Sequence, residues 1–85
     1  MATDQQLAAA ARRRVITLDL IREHITRKGY PPTLTELAEL TEVDRATVVV
    51  DVRVLTTEGL LEVDKGITRG IRIAGHDVVL VPRGA

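Results

Sequence analysis

Apolar residues in the first third of the chain recur at threes and fours. Leu7, Ala11, Val15, Leu18, Ile21 and Ile25 paint one stripe along a helix predicted from about Asp4 to Lys28. Ala8–Ala11 supplies the strongest helix former, Arg27 and Lys28 suit the negative end of the helix dipole, and Gly29 ends the run. Tyr30-Pro31-Pro32 forces an extended link, because proline restricts itself and its predecessor. Thr33-Leu34-Thr35-Glu36 reads as a capping box opening a short helix, Leu34 to about Thr41, with Leu37, Ala38 and Leu40 able to face inward. Glu42-Val43-Asp44 is a turn, and Asp44 is a good N-cap for a third helix from Arg45 to about Glu58. Val48, Val52 and Leu55 fall on its buried side. The helical period then leaves Ala46, Val50, Arg53 and Thr57 outward, with Val49 and Val54 on the flanks.

After Gly59 the period changes to that of a strand. Leu61-Glu62-Val63 alternates, Asp64-Lys65-Gly66 turns, and Thr68 to Ile73 alternates again, which predicts a β-hairpin over 61–73. Ala74–Asp77 reads as a second turn into an apolar strand, Val78–Val81, within a C-terminal strand and tail over 76–85. That strand either joins the sheet or pairs with a second subunit.

Composition narrows the function classes. The 85 residues make one domain, and a chain so short must use its apolar residues efficiently. Tyr30 is the sole aromatic, so stacking platforms for single-stranded nucleic acid are missing. Lack of cysteine excludes disulfides and zinc–thiolate sites. His24 and His76 have no second ligand at metal spacing, so each reads as a surface or internally satisfied histidine. Apolar runs are too short to span a bilayer and the N-terminus carries no signal pattern, so a soluble cytoplasmic chain is expected. No nucleophile–base pair is evident, and a non-enzyme without cofactor, metal or small-molecule substrate is the expectation.

Charge adds a tension. The net charge is zero, but residues 1–33 carry six basic and three acidic groups, whereas residues 34–61 carry two basic and six acidic. Any surface facing nucleic acid must therefore draw positive charge from the two ends of the chain. Arg12-Arg13-Arg14 tracks a phosphate backbone, neutralises an acidic neighbour or forms a solvated helix face. Arg69 either reaches a phosphate or screens the acidic second helix. Glu36, Glu39 and Glu42 read as a solvated face, or as a dock for a basic partner.

Two short helices joined by a three-residue turn, then a glycine and a hairpin, give the order of a winged helix-turn-helix, mostly α with a small β-wing. In this layout the third helix projects one face outward, and a helix fits the major groove. Leu20-Ile21-Arg22-Glu23-His24-Ile25, Gly29-Tyr30-Pro31-Pro32-Thr33, Glu36-Leu37-Ala38, Gly59-Leu60-Leu61 and Thr68-Arg69-Gly70-Ile71-Arg72-Ile73 resemble the N-terminal DNA-binding domain of the LexA repressor family, without gaps from about Leu18 to Ile73. The resemblance implies that the third helix enters the major groove and that two copies bind a palindromic site. It puts the base-facing positions at Asp44, Ala46, Thr47, Val49 and Val50, and the wing at Asp64–Arg69. The sequence departs from the family in three ways. The family's turn glycine is replaced by Thr41 or Glu42, and valines stand on the reading face, so the family's operator is not carried over. The family's self-cleaving Ser-Lys protease half, which also dimerises the repressor, has no counterpart in these 85 residues and is not expected of the chain. The chain has no serine, so damage-triggered autoproteolysis is not expected of it.

The expected function is therefore a sequence-specific double-stranded DNA-binding regulator, homodimeric, repressing by steric occupancy. Its contacts are expected from Asp44, Arg45, Ala46, Thr47, Val49, Val50 and Arg53 on the helix and from Lys65, Thr68 and Arg69 on the wing. Small apolar groups there can meet thymine methyls, and Arg53 a phosphate or guanine. Roughly four phosphate contacts per subunit predict a salt slope of about −3 to −4 per monomer. Dimer formation, through Val78–Val81 or through the Leu7–Val15 end of the first helix, would add avidity. The alternative is a winged-helix protein-interaction module that binds and modulates a partner protein, which the neutral total, the acidic middle and the valine-rich helix favour.

Overall fold

The structure, a computed structural model, describes residues 3–74; the strand expected over Val78–Val81 and the tail to Ala85 lie outside the described residues. Helix α1 spans Asp4–Lys28, α2 Leu34–Thr41 and α3 Arg45–Thr57, followed by strands β1, Leu61–Val63, and β2, Ile71–Ile73. The strands pair antiparallel in the register Leu61↔Ile73, Glu62↔Arg72, Val63↔Ile71. Three helices and a hairpin wing are the expected architecture.

Local chemistry explains each boundary. Helix α1 opens on a capping box that the sequence holds in plain sight at Thr3 and Gln6: the Gln6 N–H donates to the Thr3 hydroxyl at 3.1 Å, and the Thr3 N–H to the Gln6 side chain at 2.8 Å. The Thr33–Glu36 box repeats this arrangement at α2. Asp44 caps α3 by accepting the Thr47 N–H at 2.9 Å. Helix α3 ends at Thr57, with Glu58, expected as its last residue, acting as the C-cap. Between α2 and α3 the chain must enter the left-handed region, and Glu42 does so at φ 59°. Glu42 thus takes a turn conformation that glycine would adopt without strain, at a cost of about 1 kcal/mol.

The core lies where the three helices meet the base of the wing. Leu18 and Ile21 of α1, Leu37 of α2, Val48, Val52 and Leu55 of α3, and Leu61 and Ile71 of the hairpin form one cluster, with Ile25, Leu34, Ala38, Val43 and Ile73 packed against it. The expected inner side of α3 is therefore the observed one. The stripe on α1 is only half right: Leu7 and Val15 are exposed by 58% and 60%. The reason is length. At 25 residues α1 is about 37 Å long, whereas the molecule is 23 Å across its two shorter axes. The first half of the helix therefore outruns the body. Leu40, expected inward, is also exposed at the end of α2.

A second correction concerns the wing. Thr68 and Arg69 are not in a strand. The Val63–Ile71 pair is closed by two successive turns, in which the Ile67 N–H donates to the Asp64 carbonyl at 3.4 Å and the Gly70 N–H to the Ile67 carbonyl at 3.1 Å. The alternation over Thr68–Ile73 runs through Gly70, a residue without a side chain to pack, and glycine there marks a close backbone approach instead.

Candidate nucleic-acid interface

The outer side of α3 is open. Asp44, Arg45, Ala46, Val50 and Arg53 are exposed, and Thr47 and Val49 are half-buried on its flanks. Lys65 and Thr68 are exposed on the wing. A groove of about 390 Å³ between helix and wing brings Val49, Arg53, Lys65 and Thr68 together with Thr56, Val63 and Ile67. A neighbouring groove of about 350 Å³ joins Arg45 to Thr68 through Thr33, Thr35, Gly66 and Ile67. The expected helix and wing residues other than Arg69 therefore form one surface, with Asp44, Ala46 and Val50 along the helix crest and Thr47 on its flank, outside the grooves. Leu34 and Thr35 belong to this surface too and were not anticipated. Ile67 lies within the expected wing but was not among its expected contacts; it is 61% exposed at the wing tip and breaks the turn-like composition around it.

Arg69 is the exception among the expected contacts. Its guanidinium is turned back onto the body: Nη1 and Nη2 donate to the two Glu36 carboxylate oxygens at 2.7 and 2.9 Å, and Nη1 also to the Pro31 carbonyl at 2.8 Å. The same group lies 4.5 Å from the centre of the Tyr30 ring. Beneath it, His24 is buried and donates from Nδ1 to the Tyr30 carbonyl at 2.8 Å, the internally satisfied state. Of the two roles weighed for Arg69, this geometry is that of screening the acidic second helix. It ties the wing to the start of α2, and Glu36 is no longer part of a solvated acidic face.

The Arg69 hydrogen bonds, aided by the Thr33 N–H, hold the Glu36 carboxyl down from 4.5 to about 2. A depressed carboxylate contributes stability that is present above its unfolded value and lost as pH falls through its folded one. The contribution here should thus disappear between pH 4.5 and about 2. In an NMR titration Glu36 should move toward its ordinary range in Arg69→Ala. A midpoint indifferent to that substitution would remove the guanidinium as the cause.

The acidic middle of the chain is compensated in a way that clears α3. Asp51, at 1% exposure, lies on the side of α3 away from the open face. It accepts from Arg13 Nε at 2.6 Å and from Arg13 Nη2 at 2.8 Å, and the pairing raises the Arg13 pKa. The central arginine of the basic run on α1 therefore neutralises an acidic neighbour. The Asp44 carboxyl, held low by its bonds to Thr47, remains at the head of the open face, where it also caps the helix.

The family model described as the LexA DNA binding domain matches residues 4–70. The LexA repressor of Teredinibacter turnerae is 42% identical over 57 residues, which is 66% of this chain and 28% of that protein. The LexA repressor of Oleidesulfovibrio alaskensis is 35% identical over 60 residues, 71% of this chain and 29% of the other. That of Burkholderia cenocepacia is 42% identical over 60 residues, 69% and 28%. The chain thus spans less than a third of the length of the curated relatives it matches.

Proposed function

We propose, from the premise that this chain belongs to the LexA DNA binding domain family, that it is a sequence-specific double-stranded DNA binder that represses transcription by occupying its site. The observation that carries the reading is the open crest of α3 alongside the wing, with Arg45, Arg53 and Lys65 exposed on one surface and the helix's own Asp51 turned inward to Arg13. In this reading α3 lies in the major groove, with Ala46, Thr47, Val49 and Val50 against base edges and Asp44 at its entry. Arg45, Arg53, Lys65 and Thr68 contact the backbone. Arg69 acts as a positioning residue that braces the wing. Two copies on two half-sites supply avidity. The role is occupancy without catalysis or cofactor, and it puts the chain in the compartment that holds the DNA, the cytoplasm of a bacterial cell.

With Arg69 engaged by Glu36, three cations per subunit face the duplex. The logarithm of affinity should then fall with the logarithm of salt with a slope of about −3 per monomer. Arg53→Ala should make that slope shallower by about one unit if the guanidinium meets a phosphate. Titration of duplexes selected from a random pool, at several salt concentrations, measures both. Undetectable duplex binding at micromolar protein would select the second reading, a protein-binding module. The exposure of Val50 at 53% and Ile67 at 61% on the same face favours that reading.

A further inference from the structure

The first half of α1 carries an apolar side that the described residues of its own subunit do not cover. We propose that this segment is where two copies of the chain pair, helix against helix and antiparallel. The proposal rests on the two-copy occupancy above, to which it adds the surface, and its test is made without DNA.

No residue of α1 before Thr17 is buried. An uncovered helix of this length is marginal in water even when rich in alanine. Its exposed apolar residues are not scattered. Ala8, Ala11 and Val15, flanked by Leu7, follow one another at steps of three and four, and the same steps lead outward to Asp4 at one end and, past the core residue Leu18, to Arg22 at the other. This is the period of a helix–helix seam.

The seam is self-complementary in one direction only. Antiparallel pairing sets Ala11 opposite Val15 of the second copy, small against large, and brings Ala8 over the turn of Leu18, whose own side chain belongs to the core of its subunit. The same register sets Asp4 opposite Arg22, an acid against a base at both ends of the pair. A parallel pairing would set Asp4 on Asp4 and Arg22 on Arg22. Both groups are exposed, and the ion pair that Arg22 makes among the described residues is a long one, 3.6 Å, with Asp19 on its own helix. Beyond Leu18 the seam runs into a groove of about 330 Å³ lined by Arg22, Ile25, Tyr30, Pro31 and Ile73, which would receive the N-terminal turn of the partner helix. Ile16 is as exposed, at 55%, but lies about a third of a turn round the helix from the seam and outside it.

A single helix face of this size buries less than the roughly 800 Å² per partner of a standard interface. The pair is therefore weak in isolation, in the micromolar range, and is tightened when both copies share one duplex.

Sedimentation velocity of the full chain across the micromolar range should show reversible association. Val15→Gln and Leu7→Gln should each raise the dissociation constant about tenfold, and Ile16→Gln should leave it unchanged. Asp4→Arg or Arg22→Asp alone should weaken the pair, and the two together should restore it. Because the chain has no cysteine, Ala11→Cys protein mixed with Val15→Cys protein should oxidise to the mixed disulfide in preference to either homodimer. All these positions are exposed, so the variants should keep the helical circular dichroism of the parent. A chain that stays monomeric throughout would overturn the proposal. So would a dimer indifferent to Val15→Gln, or capture of residue 15 by residues 75–85 of its own chain. Duplex binding that persists in a monomeric chain would leave the DNA reading standing.

Discussion

Gly70→Ala should cost about 2–4 kcal/mol of unfolding free energy, a large part of what a domain of this size has to lose. A Cβ at this position would stand 2.5 Å from the Asp64 carbonyl oxygen and 3.1 Å from that of Ile67, both backbone atoms. Neither oxygen is free to move. Asp64 accepts from the Ile67 N–H, Ile67 accepts from the Gly70 N–H, and the Asp64 N–H donates to the Gly70 carbonyl at 2.9 Å. Relief of the clash therefore breaks the two-turn loop. With the loop go the strands it closes, whose Leu61 and Ile71 are 1% and 4% exposed in the core. Gly66, in the same loop, is the internal control. It sits at φ +80° with open space around it, so Gly66→Ala should cost only the left-handed penalty of about 1 kcal/mol. Urea unfolding of the two variants measures the difference. Equal costs would mean that Asp64 and Ile67 do not close over Gly70 as described.

The same loop illustrates what periodicity can and cannot deliver. Alternation over Thr68–Ile73 correctly located a strand in β2, but it ran on through a glycine whose missing side chain allows a close contact between loop carbonyls. That contact joins residues six apart, and no local pattern encodes it. The helices were legible almost to the residue because caps and breakers are local chemistry: Gly29, the Thr33–Glu36 box, Asp44. Burial along α1 was not. Periodicity states which side of a helix is apolar, and Leu7 and Val15 share that side with Leu18 and Ile21, but what the side meets depends on where the other two helices end. The open face of α3 was legible for a related reason. Once Val48, Val52 and Leu55 are assigned inward, geometry alone puts Ala46, Val50 and Arg53 outward. Charge partners were the least accessible. Arg13 and Arg69 each reach a carboxylate more than thirty positions away, and a charge run looks the same whether it faces phosphate, water or an aspartate.

The Arg13–Asp51 pair yields the other large effect, and the effect is asymmetric. Asp51 is almost wholly buried, whereas the Arg13 side chain is 32% exposed. Arg13→Ala removes both donors from a carboxylate that cannot reach water, and breaking a buried pair from that side costs about 3–5 kcal/mol. Some water will follow into the space the arginine leaves, so the lower end of that range is the expectation. Asp51→Ala leaves the guanidinium behind instead, at the edge of the body, where it can swing out and rehydrate. That loss should be about 1 kcal/mol, the size of a modest net hydrogen-bond contribution. The double variant should then be no worse than Asp51→Ala, because with the carboxylate gone nothing needs the arginine. Chemical unfolding of the two single variants and the double one, read as a thermodynamic cycle, gives the coupling directly. If Asp51→Ala proves as damaging as Arg13→Ala, the cost lies in lost packing between α1 and α3. If Arg13→Ala is harmless, the carboxylate already reaches solvent and the pair does not hold α3 in place.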